Sequence, residues 1–206
     1  MELKTTNTEQ QILDAAEKLF IEKGYTGTRT TEIAKAANVN HAMLHYYFRT
    51  KENLFNKIFE KKTTMLLSLF SVAFDEKYTF FEKIKRIIEV HFDFLTQNLK
   101  LPLFILREVV SDKEKKDFIL TKILPVGKTV YDKIDKGIQE EMKKGTIKPV
   151  KAQDIILNMA SLNVFAFIAA QAIFDIEDGV PNESLNNFLK ERKENNINLI
   201  IDSLKI

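Results

Sequence analysis

The stretch TGTRTTEIAKAANVNHAMLHYYFRTKENL, residues 26–54, decides the fold of this chain. It contains two short apolar patterns with helical spacing, and the turn sequence Asn38-Val39-Asn40 separates them. Asparagine adopts the left-handed backbone conformation more readily than most residues, so Asn38 suits a tight turn. Asn40 is a preferred N-cap for the helix that follows. The stretch therefore predicts a helix, a tight turn and a second helix.

The second of these helices is predicted to expose an unusual set of side chains. Its core positions are Leu44 and Phe48, four residues apart. At about 100° per residue, the side chains on the other faces point away from that core. A helix this short has little reason to show an aromatic ring and an imidazole to solvent, whereas a helix that enters a DNA groove does. The pattern is typical of a helix-turn-helix. The outward-facing residues are Ala42, Met43, His45 and Tyr46.

The region from about Gln11 to Phe59 resembles the DNA-binding domain of TetR-type (tetracycline-repressor family) transcriptional regulators. The resemblance implies an all-α protein, in which an N-terminal three-helix module is joined by a shared helix to a larger ligand-binding and dimerisation domain. The family commonly has other residues at the turn and at two contact positions, namely Asn38, Asn40, His41 and His45 here. The matching positions are Ile12-Leu13-x-Ala15-Ala16-x-x-Leu19-Phe20, Lys23-Gly24-Tyr25, Thr30-Thr31-x-Ile33-Ala34-x-x-Ala37 and Leu44-x-x-Tyr47-Phe48-x-x-Lys51-x-x-Leu54.

Lys51 is the strongest candidate among the cations of this region for a contact with the DNA backbone. It follows Thr50, the predicted cap of the fourth helix, where the helix dipole disfavours a cation. Either Lys51 is an exposed lysine of small cost, or it binds a DNA phosphate together with the positive helix end. The resemblance implies phosphate contacts for Lys51 and Tyr47, and Thr31 suits a phosphate or a cap. The predicted DNA-binding residues are Arg29, Thr30, Thr31, Asn40, His41, Ala42, Met43, His45, Tyr46, Tyr47 and Lys51.

Composition is that of an ordinary soluble globular protein. The chain has 206 residues, 45% of them apolar and 29% charged, with a formal net charge of +2. The absence of cysteine excludes a disulfide scaffold and a cysteine–zinc site, and it suits a reducing cytosol. The polar start MELKTTNTEQQ has no apolar signal core, so a cytoplasmic protein is expected. Residues 29–51 carry four cations against one acid, a modest local footprint for nucleic acid.

The rest of the chain reads as helical, with about nine helices in total. We predict a helix-turn-helix domain over residues 1–54 and an effector-binding and dimerisation domain over 55–206. Because no Gly/Pro/Ser linker separates the two, we expect the fourth helix to belong to both. Pro125 is expected to kink or split a long pattern, and Gly145 to end it. The charged run Asp112 to Lys116 is expected to be solvated.

Residues 155–174 contain no charge. By length alone they form a transmembrane candidate, but polar residues interrupt the stretch and no basic cluster flanks it. A helix that is apolar all round is more simply buried, here against its own domain and a second subunit. We therefore expect a homodimer through 155–174 and 182–205, and no membrane partner.

The second domain is expected to bind an unknown, mostly apolar effector. His91 is the titratable residue on the inner face of its helix, so it is either a satisfied buried histidine or a polar anchor in a phenylalanine-lined cavity. Asn158 and Asn163 on the apolar helix are similar candidates, unless a dimer seam uses either of them. The tentative effector-binding residues are Phe70, Phe74, His91, Phe94, Phe104, Asn158 and Phe165.

These observations predict a DNA-binding transcriptional regulator, a homodimeric repressor of a palindromic operator that is released by its effector. The alternative is a helical ligand-binding or interaction module with a non-operating helix-turn-helix. We expect no enzyme, cofactor or metal. Lys122 stands where a phosphate-binding loop ending in Lys128-Thr129 needs its first glycine, and no third ligand accompanies His41 and His45.

Overall fold

The computed structural model describes residues 2–174 and 182–206, and all of the regular secondary structure in these ranges is helical. This confirms the predicted all-α class. A π-helical segment, Ile119–Ile123, and a 3₁₀ turn, Leu124–Gly127, join the seventh and eighth helices. The helices are α1 (Glu2–Gly27), α2 (Thr30–Ala36), α3 (His41–Phe48), α4 (Lys51–Ala73), α5 (Phe80–Thr96), α6 (Leu101–Ser111), α7 (Lys113–Phe118), α8 (Lys128–Lys144), α9 (Ala152–Ile173) and α10 (Glu183–Leu204).

The chain folds into two compact units, and neither is a single stretch of sequence. The first unit comprises residues 1–64 and 106–123, and the second comprises 65–105 and 124–206. Helices α4 and α6 each begin in one unit and end in the other. This division differs from the domains predicted over 1–54 and 55–206, chiefly because the segment 106–123 joins the N-terminal helices.

The first unit has a small apolar core between its helices. The path of α1 is broken at Gly24, whose φ of 77° and ψ of 166° are non-helical, as the Lys23-Gly24-Tyr25 stop predicts. Aromatic rings fill the space between α1 and α4, with ring centroids 5.8 Å apart for Phe20 and Phe55. The buried residues of this core are Ile12, Leu13, Ala16, Phe20, Ile33, Ala34, Ala37, Leu44, Phe48, Leu54, Phe55, Ile58 and Phe59.

The turn between α2 and α3 has the predicted geometry. Asn38 adopts a φ of 53°, in the left-handed region. The side-chain oxygen of Asn40 accepts the backbone N–H of Met43 at 2.7 Å and so caps α3. Asn38 and Asn40 thus form the tight turn and the N-cap that the sequence predicts.

The second unit is built around α5, α8, α9 and α10. Helices α5, α9 and α10 pack on one another, and α8 packs on α9. As predicted, Pro125 lies where the long pattern is split, and Gly145 ends α8 in a left-handed conformation with φ 68°. Asn182 caps α10 by accepting the N–H of Leu185 at 2.8 Å.

Among the described residues, α9 is the helix that is long and apolar enough to cross a membrane by length and composition. In this fold one side of α9 is buried, with Ile155, Met159 and Phe167 in the interior. Its other side leaves Leu157 and Phe165 largely exposed. The helix is therefore a core helix with one uncovered apolar face.

Candidate nucleic-acid interface

Helix α3 presents the face that the sequence predicts. Leu44 and Phe48 are buried, whereas Met43 is 40% and Tyr46 is 78% exposed. A tyrosine ring this exposed gains almost nothing from the protein's own core. The other exposed residues of this face and of its N-cap are Asn40, His41, Ala42 and His45.

The start of α2 lies beside the start of α3. Thr30 Oγ1 and His41 Nε2 are 3.0 Å apart, so these two predicted contact residues are brought together. The N-cap of α2 is Arg29, whose backbone N–H donates to Glu32 Oε2 at 3.0 Å. Thr31 is thus not the cap. Its side chain lies exposed in the first turn of α2.

Lys51 differs from the exposed cation that the sequence suggests. Its Nζ donates to the carbonyl oxygens of Tyr25 and Thr28, each at 3.0 Å, and lies 4.2 Å from the centre of the Tyr25 ring. Partial burial, together with the ammonium group of Lys115, lowers the pKa of Lys51. Thr50 caps α4 as predicted, since its Oγ1 accepts the N–H of Asn53 at 3.0 Å. Lys51 therefore braces the residues that precede α2, and its phosphate contact stays a prediction.

Tyr47 and Arg29 complete the predicted surface. Tyr47 is half-buried, with its ring centroid 5.4 Å from that of Tyr46 in an edge-on arrangement, and Arg29 is exposed. The predicted DNA-binding residues thus all belong to the first unit, where they lie at the N-termini of α2 and α4 and along α3. Among the described residues, no group of three or more His, Cys, Asp or Glu side chains is placed to hold a metal ion.

Sequence reasoning missed two charged residues of the first unit. The run from Asp112 to Lys116 was expected to be solvated, but Lys115 is buried and pairs with the buried Glu108. Both come from the segment 106–123, far from the helix-turn-helix in sequence. No local pattern marks them, because a buried lysine and an exposed lysine look alike in a charged run.

The tentative effector residues do not lie together in one site. Phe70, Phe94, His91 and Phe104 are buried in the second unit, and the Phe70 and His91 rings lie 6.4 Å apart. Phe74 is half-buried and lines a cleft of about 410 Å³ between α5 and α8. The other two, Asn158 and Phe165, lie on the exposed face of α9, so the structure does not bring them together with His91. An almost uniformly apolar helix gives no sign of which face is covered.

A polar chain crosses the interior of the second unit. Asn163 Nδ2 donates to the Ile88 carbonyl at 3.2 Å and lies 3.3 Å from His91 Nδ1. Asn163 Oδ1 accepts a hydrogen bond from Asn196 Nδ2 at 3.0 Å, and Asn196 Oδ1 accepts one from Arg192 Nη2 at 3.0 Å. His91 is thus a buried histidine with a polar partner, which was one of the two interpretations of this residue. The amide of Asn163, rather than a backbone carbonyl, supplies that partner.

A groove of about 720 Å³ runs along the uncovered side of α9 and reaches α10. Its lining is almost wholly apolar. Ala166, Ala169 and Ile173 come from α9, and Phe188 and Arg192 come from α10. Arg192 connects this groove to the polar chain through Asn196.

Residues 12–58 match the model of the bacterial regulatory proteins of the tetR family. In this region the chain is similar to the DNA-binding domain of TetR-family regulators. It is 27% identical over 184 residues to the "Probable HTH-type transcriptional regulator YttP" of Bacillus subtilis, which covers 86% of this chain and 85% of that protein. It is 28% identical over 138 residues to the fatty acid metabolism regulator protein of Bacillus subtilis, covering 67% and 70% of the two chains.

The fold of the chain is shared with a solved structure. The structure of FadR from Bacillus subtilis in complex with stearoyl-CoA matches 94% of this chain and 98% of that one, with a TM-score of 0.71 and 23% identity. Together, the match over residues 12–58 and the curated relatives show a DNA-binding transcriptional regulator, as the sequence predicts, and they do not support the alternative of a non-operating helix-turn-helix. Its relatives are regulators of transcription rather than enzymes.

Proposed function

We propose that the protein is a cytoplasmic, homodimeric repressor of a palindromic operator, and that an effector carrying a long apolar chain releases it from DNA. The exposed face of α3 carries this proposal, because it offers His45 and Tyr46 to base edges while Leu44 and Phe48 hold the helix in the core. A single helix of this length contacts too few base pairs for useful specificity. Two copies on a two-fold symmetric site double the contacts.

The second copy is proposed to cover the groove on α9 and α10. This surface agrees with the predicted dimer interface over 155–174 and 182–205. Small residues, among them Ala166 and Ala169, allow two helices to approach closely, and Phe165 and Ile173 supply the exposed apolar area that pairing removes from water. Four helices, two from each protomer, would form the interface.

The effector is proposed to be a fatty acyl compound. The relative in complex with stearoyl-CoA supports this class. So does the cleft between α5 and α8, where Phe80 and Ile87 provide an apolar floor. The charged lining residues are Lys83, Lys133 and Lys136 together with Glu76 and Glu140. Three cations against two carboxylates leave a formal charge of +1, which favours an anionic head group.

The DNA-binding role is proposed to belong to the first unit, and effector binding and dimerisation to the second. An effector regulates only if it favours one arrangement of the two DNA-binding units over another. The continuous helices α4 and α6 are the covalent connections through which that preference reaches Lys51 and α3.

The experiment is a competition on a preformed protein–operator complex, followed by fluorescence anisotropy. Stearoyl-CoA should release the labelled duplex, whereas coenzyme A alone, which carries the charge without the acyl chain, should not. Equal release by both compounds would show that the charged coenzyme A group simply competes with DNA for the protein, without a role for the acyl chain. No release by any acyl compound up to its solubility limit would remove the proposed effector class while leaving DNA binding intact.

A further inference from the structure

The first unit contains a buried ion pair that the helix-turn-helix motif does not account for. Lys115 Nζ lies 2.7 Å from Glu108 Oε2, and the two side chains are only 8% and 5% exposed. Asp112 adds a second carboxylate oxygen 3.1 Å from the same ammonium. Burial of two opposite charges is costly unless hydrogen bonds satisfy them, and it often adds no stability over a well-packed apolar pair. The pair therefore calls for a role other than stability.

Both members of the pair are directed at Tyr25. Glu108 Oε1 accepts the backbone N–H of Tyr25 at 3.1 Å, while Glu108 Oε2 binds Lys115. The ammonium of Lys115 lies 3.8 Å from the centre of the Tyr25 ring. One carboxylate and one ammonium thus hold the backbone and the ring of a single residue.

Tyr25 belongs to a turn that leads directly into the DNA-binding surface. At Gly24 the chain passes so close to the segment 106–123 that an added Cβ would lie 3.0 Å from Arg107 Nη2. Thr28 Oγ1 donates to the Gly24 carbonyl at 2.8 Å, and Lys51 Nζ binds the carbonyls of Tyr25 and Thr28. The next residue is Arg29, the N-cap of α2.

We propose that Glu108 and Lys115 are positioning residues for operator binding: they fix the turn 24–28, and through it the N-terminus of α2 and the lysine at the start of α4. Neither residue touches DNA in this account. Replacing them removes none of the cations proposed to bind phosphates and none of the side chains proposed to contact bases. The loss affects how well α2, α3 and α4 contact the same operator at the same time. Simultaneous contacts require that the three helices are held in fixed positions relative to one another.

The test uses the full-length protein and a duplex selected by the parent chain from random sequences. Glu108→Gln and the double variant Glu108→Leu/Lys115→Met should each lower operator affinity at least about fivefold, within the range of coupling between sites. Affinity for a scrambled duplex should stay within twofold of the parent, in keeping with about equal phosphate neutralisation, and the salt slope should be unchanged. The matched controls are Glu114→Gln and Lys116→Met, which replace exposed residues of the same types in the same segment.

The ratio of specific to non-specific affinity separates positioning from stability. If the pair only stabilised the fold, its loss would reduce the folded fraction. Both affinities would then fall equally, and their ratio would stay constant. The double variant removes both buried charges and should melt close to the parent temperature, whereas Glu108→Gln leaves Lys115 without its full partner and should melt lower. If either variant keeps the parent ratio, the pair has no positioning role. If the double variant does not fold, Glu108→Gln decides. A parent chain that selects no sequence would remove the proposed operator binding itself.

Discussion

The side-chain amide nitrogen of Asn163 lies 3.3 Å from Nδ1 of His91 in the interior of the second unit. Because the oxygen of the same amide accepts a hydrogen bond from Asn196, the nitrogen is oriented as the donor toward His91. An acceptor at Nδ1 requires a neutral imidazole. Burial has the same effect, since it lowers the pKa of His91 from 6.5 to about 4.

The first prediction concerns the pH dependence of stability. The folded state disfavours the imidazolium, so the unfolded chain binds more protons in this range and stability rises with pH. The contribution of His91 is fully present above pH 6.5 and is lost as pH falls toward about 4. A pKa lowered by this much corresponds to about 3 kcal/mol, at about 1.4 kcal/mol per pH unit. Urea unfolding at several pH values measures it.

The variant His91→Phe isolates this contribution. It removes the titrating group, and Asn163 still donates to the Ile88 carbonyl. The difference in unfolding free energy between parent and variant should be constant above pH 7 and should shift in favour of the variant below pH 6. A difference that does not change with pH would mean that His91 stays accessible to protonation in the folded state.

The second prediction concerns Lys51. If the ammonium binds a DNA phosphate as well as the two backbone carbonyls, Lys51→Ala should weaken binding to all sequences and lower the salt slope by about one. Lys57→Ala, an exposed lysine of the same helix, is the matched control and should leave the slope unchanged. Anisotropy titrations between low and physiological salt give both slopes. An unchanged slope for Lys51→Ala would restrict this lysine to bracing Tyr25 and Thr28.

The third prediction concerns base recognition by α3. His45→Ala and Tyr46→Ala should change which base pairs are tolerated, at a cost of about 1–3 kcal/mol for each lost base contact, with little change in the salt slope. Binding to a panel of single-base-pair operator variants measures the effect. Gln139→Ala, at an exposed residue of α8, is a control outside the DNA-binding unit and outside the proposed dimer interface. A uniform loss across the panel would assign these side chains to the DNA backbone.

Local sequence patterns sufficed for the DNA-binding surface because each of its features depends on neighbouring residues. The left-handed turn at Asn38, the cap at Asn40 and the outward face of α3 all follow from spacings of a few residues. The break at Gly24 is equally local. The same reasoning identified the split at Pro125.

The features that the sequence did not reveal depend on contacts between distant segments. Nothing near Lys115 in the sequence distinguishes a lysine buried against Glu108 and Tyr25 from a solvated one. Helix α9 is apolar on every side, so its periodicity could not show that Asn163 is buried and Asn158 exposed. For the same reason nothing in the sequence indicated that the segment 106–123 packs with α1, since contacts between distant segments join the two.

The fourth prediction concerns the dimer. Ala169→Arg places a charge in the apolar groove of α9, where a second protomer would have to desolvate it. The variant should be monomeric in sedimentation and should lose cooperative operator binding while keeping its helical circular dichroism. Gln153→Arg, an exposed position of α9 outside the lining of that groove, should remain dimeric. A dimeric Ala169→Arg protein would place the interface elsewhere.

The measurement that tests the central claim most directly is selection of duplexes from a random pool by the purified parent chain. We predict enrichment of one two-fold symmetric sequence, with half-sites that respond to substitution of His45 and Tyr46. Two protomers, or a multiple of two, should bind each selected duplex. Failure to enrich any sequence over the starting pool, or enrichment of an asymmetric site bound by one protomer, would contradict the account of this protein as a homodimeric operator-binding regulator.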